Sequence, residues 1–183
     1  MERTRGQFIY SICRIVVFFS LAIASLLIRG IFIEHIRFFI GGLMIFYGIE
    51  QLTYEAIFHR KGFIHHGRNY LAFIELILGI TALAIDMEFV SVCIMWATWS
   101  ILRESYEFKE VIVETKSKVL TVISGAESIA VIVLSIMLIA TPTEHHALIH
   151  LFLLFIELIL TPIVPFLDVI IEQHKEKKNG QSE

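Results

Sequence analysis

Apolar residues in this chain come in long unbroken runs, not in the spaced stripe of a soluble amphipathic helix. From Tyr70 it reads YLAFIELILGITALAI, breaks at Asp86 and Glu88, and resumes as FVSVCIMWATWSILRESYEFK to Lys109. At about 1.5 Å per helical residue, each run is long enough to cross a hydrocarbon core of roughly 30 Å. The acidic break is too short to be a domain linker, so the pattern predicts a transmembrane helical hairpin over 70–109.

Two further hairpins are predicted, over 8–58 and 119–171. In the first, a helix from Phe8 to Ile28 is interrupted by Arg14, and a second helix follows a polar break at Arg29, Gly30, Glu34 and His35. Ser20, Ala22, Ala24 and Ser25 on one helix and Gly41, Gly42 and Gly48 on the other offer small surfaces for close packing, since lipid supplies no hydrophobic drive between helices. In the third hairpin, Thr141-Pro142-Thr143 stops a helix that starts near Val119. The last helix carries Pro162 and Pro165, which remove backbone donors and are expected to kink it. The stretch SYEFKEVIVETKSK extends the fourth helix beyond the membrane, and residues 172–183 are expected to form a disordered cytoplasmic tail. The basic start at Arg3 and Arg5 and the Ala22-Ile23-Ala24 triplet also fit a cleaved secretory signal, but Arg14 interrupts its apolar core and cleavage would destroy the first hairpin. The fold expected is all-α: one polytopic domain of six transmembrane helices in three hairpins.

Composition agrees. Of 183 residues 56% are hydrophobic and 18% charged, and the mean hydropathy of +0.75 lies in the range of polytopic membrane proteins. The net charge of −3 says little because the positive charges are segregated. Arg3, Arg5, Arg60, Lys61, Arg68, Arg103, Lys109, Lys116, Lys118, Lys175, Lys177 and Lys178 fall on one side, and Arg29 and Arg37 alone on the other. That asymmetry places both termini in the cytoplasm. No basic, aromatic-interleaved surface suggests nucleic acid. Cys13 and Cys93 fall at opposite membrane depths, which excludes a disulfide between them. The inner loop with Arg60, Lys61 and Arg68 is expected to attract anionic headgroups, at roughly 1 kcal/mol per basic side chain. The partners admitted are thus the bilayer, anionic lipid at that loop, and a further copy of the chain.

Sliding the chain on itself by 52 residues lays Ile49, Tyr54 and Glu55 on Ile101, Tyr106 and Glu107, and Glu75 on Glu127; a slide of 53 lays Glu104 on Glu157. Self-similarity at a fixed period records duplicated units. The units GAESIAVIVLSIMLI and ELILGITAL, each followed by a short outer turn, and the stretches GGLMIFYGIEQLTYEAI and CIMWATWSILRESYEF resemble the HdeD-like acid-resistance membrane proteins. Gly42, Gly48, Gly79 and Gly125 fit that family's pattern, whereas Thr161 to Pro165 stand where helix six should end in glycine. The resemblance implies a bacterial or archaeal inner-membrane protein of six helices, linked to acid or envelope stress, with no catalytic residues to carry over.

Candidate chemistry lies in charges within the apolar runs: Arg14, Glu50, Glu75, Glu127, Glu157 and Asp168, with Arg103 and Glu104 at a helix end. An ionised group there costs several kcal/mol unless paired or hydrated, so these side chains are expected to face the bundle interior, in its cytoplasmic half. One deep arginine cannot neutralise all the acids. They suit a proton relay or a polar cavity, or else a network, such as Arg14 with Glu75 or Glu127, that only fixes helix register. On the outer side, Glu144, His146 and His150 stand at the start of helix six with the two histidines one turn apart, a spacing that can hold zinc. The same histidines near Asp86 and Glu88 would alternatively sense external acid. Trp96 and Trp99 read as packing residues. No nucleophile elbow, phosphate-binding loop or CxxC pair is present, so an enzyme is the least favoured reading. The alternatives to a stress-associated membrane protein without catalysis are a small transporter or channel for protons or a small solute and, third, a membrane enzyme with an outer-face metal site.

Overall fold

In the computed structural model, which describes residues 5–58, 67–114 and 117–179, the elements are all helical. They are α1 (Arg5–Leu27), a 3-10 turn at Ile28–Gly30, α2 (Ile36–Phe58), α3 (Gly67–Ala84), α4 (Phe89–Glu114), α5 (Lys118–Ala140) and α6 (Glu144–Asn179). The chain therefore breaks where the polar and proline-bearing stretches interrupt the apolar runs. Three helices are long and apolar enough to cross a membrane: Phe8–Gly30, Lys118–Ala140 and Glu144–Ile171. The apolar part of α3 is shorter, Asn69–Ala84, and α2 and α4 carry internal charges at Glu50, Glu55, Arg103, Glu104 and Glu107. Large apolar side chains such as Phe19, Ile77, Val122, Ile129 and Phe152 point outward. Water tolerates such continuous apolar surface poorly, and a bilayer accommodates it.

Helix α6 differs from expectation at its C-terminal end. It runs through Pro162 and Pro165 without ending. It also continues through Asn179, so the helix takes in most of the tail expected to be disordered. EQHKEKK contains strong helix formers, and the first breaker is Gly180.

The closest helix pairs are α2 with α3, α4 with α5, and α1 with α6, with α5 also against α6. Packing is thus tighter between hairpins than within them. Glycine explains the first pair. A Cβ on Gly79 would sit 2.6 Å from the Gly41 carbonyl oxygen, and one on Gly48 would sit 2.8 Å from that of Ala72. The small residues of α2 accordingly serve α3 and not α1 as expected, and a Cβ on Gly42 would meet nothing.

Along their length the helices form two layers. Phe18, Phe32, Met44, Trp96, Leu138 and Leu154 are fully buried in the halves nearest the α1–α2, α3–α4 and α5–α6 turns. Glu55, Glu75 and Glu104, with Glu127, occupy the other halves, away from those turns, and Glu157 lies just beyond Leu154 on α6. Tyr47 and Trp99 mark the boundary.

Candidate functional site

Helix α4 supplies the centre. Its residues Trp99, Arg103, Glu104 and Glu107 follow at intervals of four, one and three, which puts them on one face. Arg103 is 5% exposed. Its Nη1 donates to Glu75 Oε1 at 3.0 Å from α3, its Nε lies 3.5 Å from Glu157 Oε1 on α6, and its Nη2 pairs with Glu107 one turn on. The guanidinium also stands over the Tyr47 ring from α2, 3.6 Å from its centroid, a favourable cation–π arrangement. Two further donors fix the carboxylates: Trp99 Nε1 donates to Glu75 Oε1 at 3.0 Å, and the Tyr47 hydroxyl donates to Glu157 Oε1 at 3.1 Å.

Beyond this set lie acids that make no ion pair with Arg103 among the described residues. Glu104 is 1% exposed. Ser128 of α5 stands beside it, yet neither Glu104 oxygen completes a hydrogen bond among the described residues. Glu127 Oε1 on α5 is buried without a partner in the same sense. One oxygen each of Glu104, Glu127 and Glu157 lie within 4.8 Å of one another. Four helices, α3 to α6, therefore bring Glu75, Glu104, Glu107, Glu127 and Glu157 around a single guanidinium. Like charges so crowded away from water are sustained only by protons, a bound cation or water.

The other expected network members are elsewhere. Arg14 pairs with Glu50, Nε to Oε1 at 2.7 Å, and the Tyr10 hydroxyl donates to the same carboxylate at 3.0 Å. This satellite pair corrects the expected pairing of Arg14 with Glu75 or Glu127, because α1 lies against α6 and not against α3 or α5. Tyr10, Arg14, Phe18, Phe46 and Glu50 line a cleft of about 230 Å³ between α1 and α2. Asp168 accepts the backbone N–H of Ser117 at 2.9 Å and so caps the start of α5.

The outer residues do not converge. His150 is buried, its Nε2 2.9 Å from Ser135 Oγ, and its ring stacks on Trp96 at 4.5 Å. His146 Nδ1 donates to the Thr141 carbonyl oxygen at 2.8 Å, and Glu144 is exposed. Among the described residues the acid triad is the group able to hold a metal ion, and Glu144, His146 and His150 are not brought to a common point. Arg60 and Lys61, expected to meet anionic lipid, lie outside the described residues, as does the side chain of Arg68. Cys13 is exposed and Cys93 buried, and both are free thiols.

Sequence reasoning missed Tyr47, Trp99 and Glu107 as parts of the centre. A signal was present: the 52-residue slide that carries Glu55 onto Glu107 also carries Tyr47 onto Trp99. Each of these two aromatics donates to a different carboxylate of the cluster. Comparison of the chain with protein families, with characterised proteins and with solved structures finds no match.

Proposed function

We propose that the chain is a non-enzymatic, six-span protein of the cytoplasmic membrane that carries protons or a small cationic solute through its carboxylate centre. Both termini are cytoplasmic in this reading, and the HdeD-like features of its hairpins put it in the response to acid or envelope stress. The observation that carries the reading is the surplus of acid: Glu75, Glu104, Glu107, Glu127 and Glu157 around Arg103. Membrane interiors tolerate ionisable groups at such cost that they mark ion and proton pathways.

The layered interior supports an inward-facing state. The cluster occupies the half of the bundle toward the termini, while Phe18, Phe32, Trp96, Leu138 and Leu154 close the other half. That plug favours a carrier over an open channel, and transport then needs it to part, as in alternating access around a site near the midplane.

Proteoliposomes with a trapped pH dye test this. Wild-type protein should speed internal acidification under an imposed gradient well above empty vesicles, and Glu75→Gln and Glu127→Gln should return it to the empty-vesicle rate. Flux that persists in both variants would refute the relay.

A further inference from the structure

The carboxylates of Glu104, Glu127 and Glu157 converge from α4, α5 and α6, and we propose that they bind one hard divalent cation. The inference deepens the carrier reading by naming a ligand of the same centre, and it uses an observation separate from the crowding of acids. Glu104 is 1% exposed, and neither of its oxygens completes a hydrogen bond among the described residues. Even with Ser128 beside it, a buried carboxylate that completes no hydrogen bond forfeits most of its hydration with little in return. Its neighbour Glu127 presents a second buried oxygen without a partner.

The resident cation is already engaged. Arg103 faces Glu75, Glu107 and Glu157, and the described residues offer no other cation to Glu104 or Glu127. The geometry suits an ion. Three oxygens within 4.8 Å of one another share a centre about 2.8 Å or less from each, so movements of under about 1 Å reach the roughly 2.0–2.6 Å of Mg²⁺, Mn²⁺ or Ca²⁺. All three ligands are carboxylates, with no histidine or cysteine in the group. Oxygen-only donors favour these hard ions over zinc or copper. The Tyr47 hydroxyl, donating to Glu157 Oε1 at 3.1 Å, would orient that ligand from behind. Because the ligands must be deprotonated, the ion and protons would compete for the same oxygens. Such exclusion gives a carrier two alternative cargoes at one site.

The test uses the full chain in phosphatidylcholine nanodiscs and Mn²⁺ as the probe, with free ion counted by electron paramagnetic resonance. One Mn²⁺ per chain should bind saturably, and Glu104→Gln and Glu127→Gln should each weaken binding by roughly tenfold or more. Glu88→Gln, at an exposed acid in the α3–α4 turn, should leave it unchanged. In the wild type, bound Mn²⁺ should quench tryptophan fluorescence, since Trp99 donates to Glu75 within the cluster, and excess Mg²⁺ or Ca²⁺ should reverse the quenching. That second readout needs no variant to fold. Absence of saturable binding, or binding indifferent to both buried variants, would overturn the proposal. Mn²⁺ binding without proton flux would leave the ion site standing and remove the carrier. Flux without Mn²⁺ binding would do the reverse.

Discussion

Arg103 is the residue on which the interior balances. It meets Glu75, Glu107 and Glu157 and lies over the Tyr47 ring, so its loss leaves several buried acids without their common partner. Removing one side of a buried ion pair costs about 3–5 kcal/mol. Arg103→Gln should lower the unfolding free energy by about that amount, measured by detergent-induced unfolding in mixed micelles. Trp99→Phe, which deletes one donor to Glu75, should cost only about 1 kcal/mol. An Arg103→Gln protein as stable as the wild type would mean that the acids are neutralised by something other than the guanidinium. The charges themselves were legible in the sequence, because a carboxylate within an apolar run is conspicuous. Their partners were not. Tyr47 and Trp99 sit in apolar runs where an aromatic ring reads as packing, and nothing in the residue itself tells that its O–H or N–H faces an acid.

The helices were legible at the scale of elements, and their neighbours were not. Helix bounds follow from the length of apolar runs and from polar breaks such as Thr141-Pro142-Thr143. Pairing is set by detailed shape, because in a lipid-facing helix almost every face is apolar and hydrophobic pattern no longer marks the contact side. Glycine decides it between α2 and α3. A methyl group on Gly79 would stand 2.6 Å from the Gly41 carbonyl oxygen and 2.7 Å from Ile45 Cγ1, whereas one on Gly42 would meet nothing within 4 Å. Gly79→Ala should therefore destabilise the protein by about 1–3 kcal/mol through forced separation of the two helices. Gly42→Ala should be neutral or slightly stabilising, since alanine is the better helix former by about 1 kcal/mol. Equal effects from the two substitutions, in the same detergent titration, would contradict the close α2–α3 crossing. The overrun of α6 has a similar lesson: a polar tail rich in Glu, Gln and Lys looked unfolded by composition, yet those residues readily prolong a helix that is already nucleated.

The whole molecule is a bundle turned inside out relative to a soluble protein, with isoleucine and phenylalanine outside and a charged centre within. Its two layers give the centre a direction, closed by the aromatic and aliphatic plug and nearer to the end where the termini lie. In the proposed reading, that end faces the cytoplasm. Every functional step above requires that the acids be sheltered while their neighbours on the opposite helix face lie in lipid. Ile77 and Ile129 each stand two residues after a cluster acid, Glu75 and Glu127, and are 64% and 55% exposed. Two residues along a helix is about 200° of rotation, so each isoleucine reports the face opposite its acid. The decisive measurement is a spin label placed by cysteine at Ile77 or Ile129 in reconstituted protein, with collision rates recorded for oxygen and for a water-soluble nickel chelate. High oxygen and low nickel accessibility at both sites is the result expected of inward-facing acids in a lipid-immersed bundle. Ready access of the nickel chelate at either site would contradict it.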